Sequence, residues 1–201
     1  MRLGFDLDEV VVDLTAEMEI YLKEKYGLDL SKDVFQLYKF ADCVFHEDRM
    51  KNDAIVKELI RLADDAEFQL GAKPVEGAAE CLRRFKRSGH KLYFITHRPK
   101  ENRSSTFKWM RDNRIPYDEV FVTGKTAEKG LLGRKLKLDM YVDDLEIHLD
   151  SMLKYKRRWP RGLLLMDRPW NSNLVTGDRF VRVKSWSDIF YHVNVHNVIK
   201  A

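Results

Sequence analysis

Two aspartates, Asp6 and Asp8, follow a short apolar run at the start of the chain and are separated by one residue. The stretch Leu3 to Val12 begins like a buried strand, in which residues i and i+2 point to the same side. Two carboxylates held that close repel each other unless a cation lies between them or one carries a proton. The pair suggests a divalent metal site or a divided acid/base role; the alternative is a strand that ends in a solvated acidic turn.

The elements that would position these acids are alternating strands and helices. From Val75 onward the alternation predicts a parallel α/β sheet. Ligands of such sheets bind at the carboxyl ends of the strands. The polar residues that follow predicted strands are Asp6, Asp8, Thr96, Asp143 and Asp144. The architecture would therefore bring them to one rim of the sheet.

The first third of the chain has a different pattern. Leu14 to Tyr26 is typical of an amphipathic helix, and Asp48 to Phe68 is predicted to be a second helix. Between them lies an irregular stretch with the aromatic residues Phe35, Tyr38, Phe40 and Phe45. These aromatics could stack on a nucleobase, but aromatics more often build a core, and a core is the expected role here.

Composition excludes several classes of protein. The chain has 201 residues, 44% of them hydrophobic and 34% charged, which is typical of a soluble globular protein. No apolar run is long enough to span a membrane, and the first strand leaves no room for a signal peptide. The two cysteines are not spaced as a disulfide scaffold or a zinc site, so a cytoplasmic location is expected. The net charge of +4 suits anionic ligands without requiring nucleic acid.

Carboxylates gathered at one rim indicate phosphoryl transfer. Mg²⁺ prefers carboxylates, waters and substrate phosphate as ligands. Asp6 could then act as a nucleophile, while Asp8 gives a proton to the leaving oxygen and later takes one from water. Thr96 could bind phosphate oxygens, and a lysine, Lys125 or Lys129, could offset the negative charge.

The residues after Thr96 and two further segments suggest smaller roles. His97 and Arg98 could contact phosphate, Arg98 more plausibly because its guanidinium matches phosphate geometry. The basic segment Lys154 to Arg161 could contact nucleic acid, although a solvated helix end is the preferred reading. His46 and His148 lack metal-ligand spacing and are expected at the surface.

Taken together, these motifs resemble those of the haloacid dehalogenase (HAD) superfamily. The similarity lies in D-x-D after the first strand, Thr after the second, a lysine before the fourth and D-D after it. Asp167 to Asn171 (DRPWN) and Ser185-Trp186 are similar to the C-terminal signature of the 5′(3′)-deoxyribonucleotidase-like group. Trp170 and Asn171 would then be structural markers placed near the site but not in it.

The resemblance implies a Rossmann-like parallel sheet core, residues 1–13 and 75–201, with a small helical C1 cap, residues 14–74. It implies a Mg²⁺-dependent phosphatase that acts through an aspartyl-phosphate. By that resemblance Asp6 is the nucleophile and Asp8 the acid/base. Thr96, His97, Arg98 and Lys129 would bind the substrate, with Lys125 as a rival for the lysine. The implied metal ligands are Asp6, Asp8, Asp143 and Asp144. Glu9 departs from the group, which usually has Gly there.

Three functions remain open at this point. The first is hydrolysis of small phosphomonoesters, nucleoside or deoxynucleoside monophosphates above all. The second is a 3′-phosphatase acting on nucleic-acid ends, which a cap of about sixty residues would hinder. The third is a non-enzymatic nucleotide-binding protein. A homodimer is compatible with the fold, and no membrane partner is expected.

Overall fold

The computed structural model describes residues 1–30, 35, 43–124, 126–156 and 158–198; of residues 126–128 and 195–198 only the backbone is described. Its centre is a six-stranded parallel sheet with the order β5-β4-β1-β6-β7-β8. The strands of this sheet are β1 (Arg2–Phe5), β4 (Lys91–Thr96), β5 (Glu119–Val122), β6 (Met140–Asp143), β7 (Leu163–Met166) and β8 (Val181–Val183). The α/β fold with a parallel sheet is therefore confirmed.

Eight α-helices lie in the described part of the chain. They are α1 (Leu14–Tyr26), α2 (Arg49–Ala63), α3 (Ala66–Gly71), α4 (Ala78–Arg87), α5 (Arg103–Asp112), α6 (Thr126–Lys135), α7 (Glu146–Tyr155) and α8 (Trp186–Val198). Of these helices, α4, α6, α7 and α8 contact strands of the six-stranded sheet. Two short 3₁₀ helices, Lys100–Asn102 and Pro169–Asn171, follow β4 and β7. None of the helices described is long and apolar enough to cross a membrane.

The strands are apolar on both sides because each face of the sheet packs against helices. Along β4, Phe94 belongs to one hydrophobic cluster, while Tyr93 and Ile95 belong to the other. This alternation follows from the two-residue period of a strand. Glycine is required at position 4 on β1, because a Cβ there would lie 2.5 Å from a side-chain carbon of Leu138.

The segment between the first and second sheet strands leaves the core through a small antiparallel ladder. Its strands are β2 (Val12–Asp13) and β3 (Lys73–Pro74), which pair with each other and enclose α1, α2 and α3. This is the segment for which the sequence predicts a cap, and the division into core and cap stays a prediction. Trp109 of α5 joins the two parts, since its indole N–H donates to the carbonyl of Ala72 at 2.7 Å.

The second predicted helix, Asp48 to Phe68, is interrupted in the structure. α2 ends at Ala63, and α3 begins at Ala66 after Asp65, whose carboxylate accepts from the N–H of Phe68 at 2.9 Å. An aspartate at this position caps a helix N-terminus and favours a break over continuation. The interruption places Asp64 at a corner between two helices.

Candidate active site

Three neighbouring strands of the sheet, β4, β1 and β6, end at the same edge. Next to this edge lies a cavity of about 280 Å³. The residues that line the cavity are Asp6, Asp8, Glu9, Leu14, Thr15, Met18, Ala63, Asp64, His97, Arg98, Asp144, Leu145, His148 and Trp170. Five of the eight residues expected at the site therefore line one cavity; Thr96, Lys129 and Asp143 lie buried behind it.

Lys129 is fully buried between two of the aspartates. Its Nζ lies 3.0 Å from Asp6 Oδ1, 3.0 Å from Asp143 Oδ2 and 2.9 Å from His148 Nδ1. Burial alone would lower the pKa of Lys129, but the charges of Asp143 and Asp6 raise it above its ordinary value. The side chain therefore stays an ammonium and neutralises this part of the site. Lys125, its rival in the sequence, lies outside the described residues.

The position of Lys129 depends on close packing between α6 and α7. A Cβ at Gly130 would lie 2.3 Å from the carbonyl oxygen of Ser151, and one at Gly133 would lie 2.5 Å from Met152 Sδ. Only glycine permits this approach of the two helices. The approach brings Lys129 on α6 beside His148 on α7.

His148 is buried, with 2% of its surface exposed, so the expectation of a surface residue was wrong. Its Nδ1 lies 2.9 Å from Asp143 Oδ1, and its ring meets that of His97 edge to face at 4.5 Å between centroids. Nδ1 either accepts from the Lys129 ammonium or, when it carries the proton, donates to Asp143, so the tautomer of His148 decides which of the two contacts is a hydrogen bond. The signal that could have predicted this burial is the position of His148 in the first turn after Asp143-Asp144, on a helix that packs against the sheet.

Asp143 is fully occupied by these neighbours. Besides Lys129 and His148, its Oδ1 accepts from the N–H of Leu145 at 3.0 Å. Burial would raise the pKa of Asp143, but the charges of His148 and Lys129 outweigh it and hold that pKa far below its ordinary value. Asp6, Asp143 and His148 bring possible ligand atoms within 4.8 Å of one another. Because the Lys129 ammonium already lies among those atoms, a metal ion has no room in that group.

One carboxylate oxygen of Asp6 is buried without a hydrogen bond from the described residues. Oδ1 is buried and close to Lys129, but makes no well-directed hydrogen bond with the described residues. Burial raises the pKa of Asp6 to about 6, against the opposing charge of Lys129 and with the charge of Asp143 adding to the rise. The carboxylate is mostly ionised at neutral pH and has unused acceptor capacity.

Asp8 is held by Arg98. The guanidinium donates from Nε at 3.1 and 3.0 Å and from Nη2 at 2.6 Å to the Asp8 carboxylate. Arg98 is itself buried, and its N–H donates to Thr96 Oγ1 at 3.2 Å. Thr96 Oγ1 in turn lies 3.5 Å from Asp8 Oδ2. A bidentate pair of this kind fixes the orientation of the carboxylate.

Asp144 has a different environment. Its Oδ2 accepts from the indole N–H of Trp170 at 2.9 Å, and its backbone carbonyl accepts from Asn171 at 2.8 Å. Burial, followed by the charges of Asp143 and Asp6, raises the pKa of Asp144 well above its ordinary value. Trp170 lines the cavity, so placing it outside the site was wrong. Its fixed position beside an acid depends on the loop after β7, which no local pattern reveals.

Among Asp6, Asp8, Glu9, Asp143 and Asp144, every acid except Asp144 lies beside a described cationic side chain. Lys129 lies beside Asp6 and Asp143, and Arg98 beside Asp8. Arg168 approaches the carboxylate of Glu9 to 3.8 Å. Asp144 has no ion pair with any residue that the structure describes, only the neutral Trp170 donor.

The cap aromatics and the basic segment do not reach this cavity where they are described. Phe35 and Phe45 are buried and pack against each other at 5.3 Å between ring centroids. Tyr38 and Phe40 lie outside the described residues. In the basic segment, Lys156 lies over the ring of Trp159 and donates to the carbonyl of Leu138. The described part of the segment thus adds no residue to the cavity lining.

Comparison with known proteins agrees with this geometry. A profile of the family described as 5′ nucleotidase, deoxy (pyrimidine), cytosolic type C protein matches residues 1–198. A predicted nucleotidase of Oceanobacillus iheyensis is 29% identical over 191 residues, 94% of this chain and 96% of the relative.

Solved structures show the same fold at low sequence identity. A predicted phosphoglycolate phosphatase of Lactobacillus delbrueckii subsp. bulgaricus has a TM-score of 0.63 at 14% identity, covering 96% of this chain and 97% of the other. A HAD hydrolase of Bacillus subtilis bound to magnesium has a TM-score of 0.59 at 12% identity, with coverage of 96% and 98%. The chain therefore belongs to the 5′ nucleotidase, deoxy (pyrimidine), cytosolic type C family, and is a nucleotidase-like phosphoric monoester hydrolase of the HAD superfamily.

Proposed function

We propose that this enzyme is a Mg²⁺-dependent phosphatase of small phosphomonoesters, nucleoside or deoxynucleoside monophosphates first, and that it acts through an aspartyl-phosphate on Asp6. One observation carries the proposal: the ionised Asp6 lines the same cavity as Asp8 and Asp144, with the Lys129 ammonium 3.0 Å behind it. Such an arrangement suits a nucleophile whose charge must be neutralised while an anionic phosphate approaches.

The residues fit a hard cation at one place in the cavity. Asp144 has no protein cation among the described residues, and Asp6 Oδ1 has unused acceptor capacity. Burial is the main cause of the raised pKa values of Asp6 and Asp144, and repulsion from neighbouring acids is a second cause. A divalent cation would relieve that repulsion. Asp6 and Asp144 would hold Mg²⁺ through their carboxylates and Asp8 through its backbone carbonyl. Asp143, which binds Lys129, His148 and the Leu145 N–H, would support the site from behind. A bound cation would polarise the phosphate oxygens and offset their charge.

The chain's own residues divide the chemistry between them. With Asp8 in its protonated form, an oxygen of Asp6 attacks phosphorus and the bond from phosphorus to the leaving oxygen breaks. Asp8 gives the leaving oxygen its proton and becomes the carboxylate that pairs with Arg98. Asp8 then takes a proton from water, whose oxygen attacks the phosphorus and releases phosphate from Asp6. Thr96 and His97 would contact the phosphate oxygens together with Lys129, and Arg98 would contribute while it orients Asp8.

A phosphate-release assay tests the proposal. Wild type with Mg²⁺ should release phosphate from a panel of nucleoside monophosphates, and Asp6→Asn should release none. Asp53→Asn serves as the control, because Asp53 is an exposed aspartate on α2. Intact-mass measurement on rapidly quenched wild type should show a hydroxylamine-sensitive phosphoryl adduct that Asp6→Asn lacks. No release from any member of the panel, or equal release by Asp6→Asn, would contradict the proposal.

A further inference from the structure

Part of the cavity wall comes from the segment inserted between the first and second strands of the sheet, and not from the loops that carry the catalytic residues. Among the described residues of that segment, the cavity is lined by Leu14, Thr15, Met18, Ala63 and Asp64. Three of these are apolar, and Asp64 is the one that carries a charge. A leaving group in this part of the cavity would meet apolar surface and a single carboxylate.

The corner that carries Asp64 is held in place by buried polar side chains. Asn102 Nδ2 donates to the carbonyl of Asp64 at 2.7 Å and to Gln69 Oε1 at 3.2 Å. Gln69 Nε2 donates to the carbonyl of Ala63 at 2.7 Å. Asn102 and Gln69 are exposed by only 6% and 1%, and Asn102 ends the 3₁₀ helix that follows the His97-Arg98 loop. The position of Asp64 relative to the phosphate-side loop is therefore defined by direct hydrogen bonds.

The carboxylate of Asp64 is left available by this arrangement. The bonds at the corner use backbone carbonyls, and the Asp64 side chain forms no hydrogen bond or ion pair with the described residues. Burial, together with the negative charges of Asp8 and Glu101, raises its pKa. Asp64 is an exposed carboxylate that lines a ligand cavity without a described protein partner, so its oxygens can accept a hydrogen bond from a ligand that enters the cavity.

We propose that Asp64 determines specificity for the leaving group, an inference that rests on the proposed phosphatase function. Asp64 accepts a hydrogen bond from a hydroxyl or amine of the leaving group, while Leu14, Met18 and Ala63 contact its apolar surface. A leaving group with a second negative charge is repelled, because like charges that approach without a counter-ion are strongly unfavourable. The substrate class is thus phosphomonoesters of neutral, donor-bearing alcohols, which includes nucleosides, and it excludes phosphorylated hydroxy acids.

Two substrates with the same carbon skeleton test this selection. Glycerol 3-phosphate carries a neutral hydroxymethyl group where 3-phosphoglycerate carries a carboxylate. We expect wild type to have the higher kcat/KM for glycerol 3-phosphate, and Asp64→Asn to reduce that preference about tenfold. The ratio of the two values does not depend on the fraction of active enzyme. Glu101→Gln is the matched control: it removes an exposed negative charge near Asp64 that does not line the cavity, and should change the ratio by less than about twofold.

The outcomes distinguish a failure of the proposed role of Asp64 from a failure of the proposed phosphatase activity. An unchanged ratio in Asp64→Asn, an equal change in Glu101→Gln, or a wild-type preference for 3-phosphoglycerate would overturn the role of Asp64, while hydrolysis of p-nitrophenyl phosphate would still support the phosphatase. If wild type hydrolyses neither p-nitrophenyl phosphate nor any member of the nucleotide panel, the proposed function fails and this inference fails with it.

Discussion

Replacement of Lys129 by methionine should be among the most damaging single changes in this chain. Methionine has similar length and flexibility but no charge, so the substitution removes the ammonium and keeps most of the packing. Asp6 and Asp143 would then remain buried without the cation that lies 3.0 Å from each of them. The effect should therefore appear in stability as well as in activity.

The magnitude follows from those two distances. At 3.0 Å and an effective dielectric constant of about 20, one unit charge pair is worth about 5–6 kcal/mol, so the two pairs together give about 11 kcal/mol. Desolvation of the buried lysine offsets several kcal/mol of this, and protonation of an aspartate in the variant recovers more. We expect a net loss of about 3–5 kcal/mol in the free energy of unfolding, the usual range when one partner of a buried ion pair is removed.

Urea unfolding of the wild type and the Lys129→Met variant at neutral pH measures this loss. Lys135→Met is the matched control, since it makes the same change at an exposed position of α6 and should cost less than about 0.5 kcal/mol. Adding Asp143→Asn to Lys129→Met should recover part of the loss, because it removes one of the two buried charges that lose the Lys129 cation. A loss below about 1 kcal/mol for Lys129→Met, or no recovery in the double variant, would refute the view that Lys129 neutralises both aspartates.

Two further predictions concern the support of the cavity and the far end of the sheet. Trp170→Phe keeps an aromatic ring but removes the N–H that donates to Asp144 at 2.9 Å. The variant should bind Mg²⁺ about tenfold more weakly in titration calorimetry. Unchanged affinity would count against a role for that donor. Asp118 accepts from Lys86 at 2.6 Å and from the Leu92 N–H at 2.9 Å, and these bonds outweigh burial and lower its pKa to about 2. The ionised Asp118 therefore stabilises the protein above the unfolded pKa of about 4, and this stabilisation is lost as pH falls from about 4 to about 2. Asp118→Asn should cost about 1–2 kcal/mol of unfolding free energy at pH 7. Between about pH 4 and about pH 2 the variant should lose less stability than the wild type does. Equal acid dependence in both proteins would contradict this assignment.

The sheet and its strand ends could be predicted because they depend on short-range patterns. The observed bounds of α1 match the predicted helix from Leu14 to Tyr26, since capping residues and apolar periodicity mark them locally. The convergence of Asp6, Thr96 and Asp143 follows from the rule that parallel strands end at one edge, without any side-chain detail.

The surroundings of those acids could not be predicted in the same way. The sequence predicts that a helix ends in the segment from Lys154 but gives no start for it, and the contact of His148 on α7 with Lys129 depends on the close approach of α6 and α7. Gly130, which directly follows Lys129 in the sequence, was a usable signal of that approach. The Asp64–Asp65 pair was another, because consecutive aspartates within a helical pattern indicate a new N-terminus.

Glu9 is explained by the first inserted helix rather than by the metal. Its φ of +59° is a left-handed conformation that favours glycine and costs another residue about 1–2 kcal/mol. The Glu9 carboxylate accepts from the N–H of Thr15 at 2.7 Å and from its hydroxyl at 2.9 Å, so it binds a free N–H in the first turn of α1, in addition to the N-cap residue Asp13. The Glu9 carbonyl accepts from Arg168 at 2.9 Å. A cap is worth about 0.5–2 kcal/mol, which is enough to offset the backbone strain. Both carboxylate oxygens are thus engaged on the helix, and the additional acid connects the loop of Asp6 and Asp8 to α1 instead of supplying another ligand.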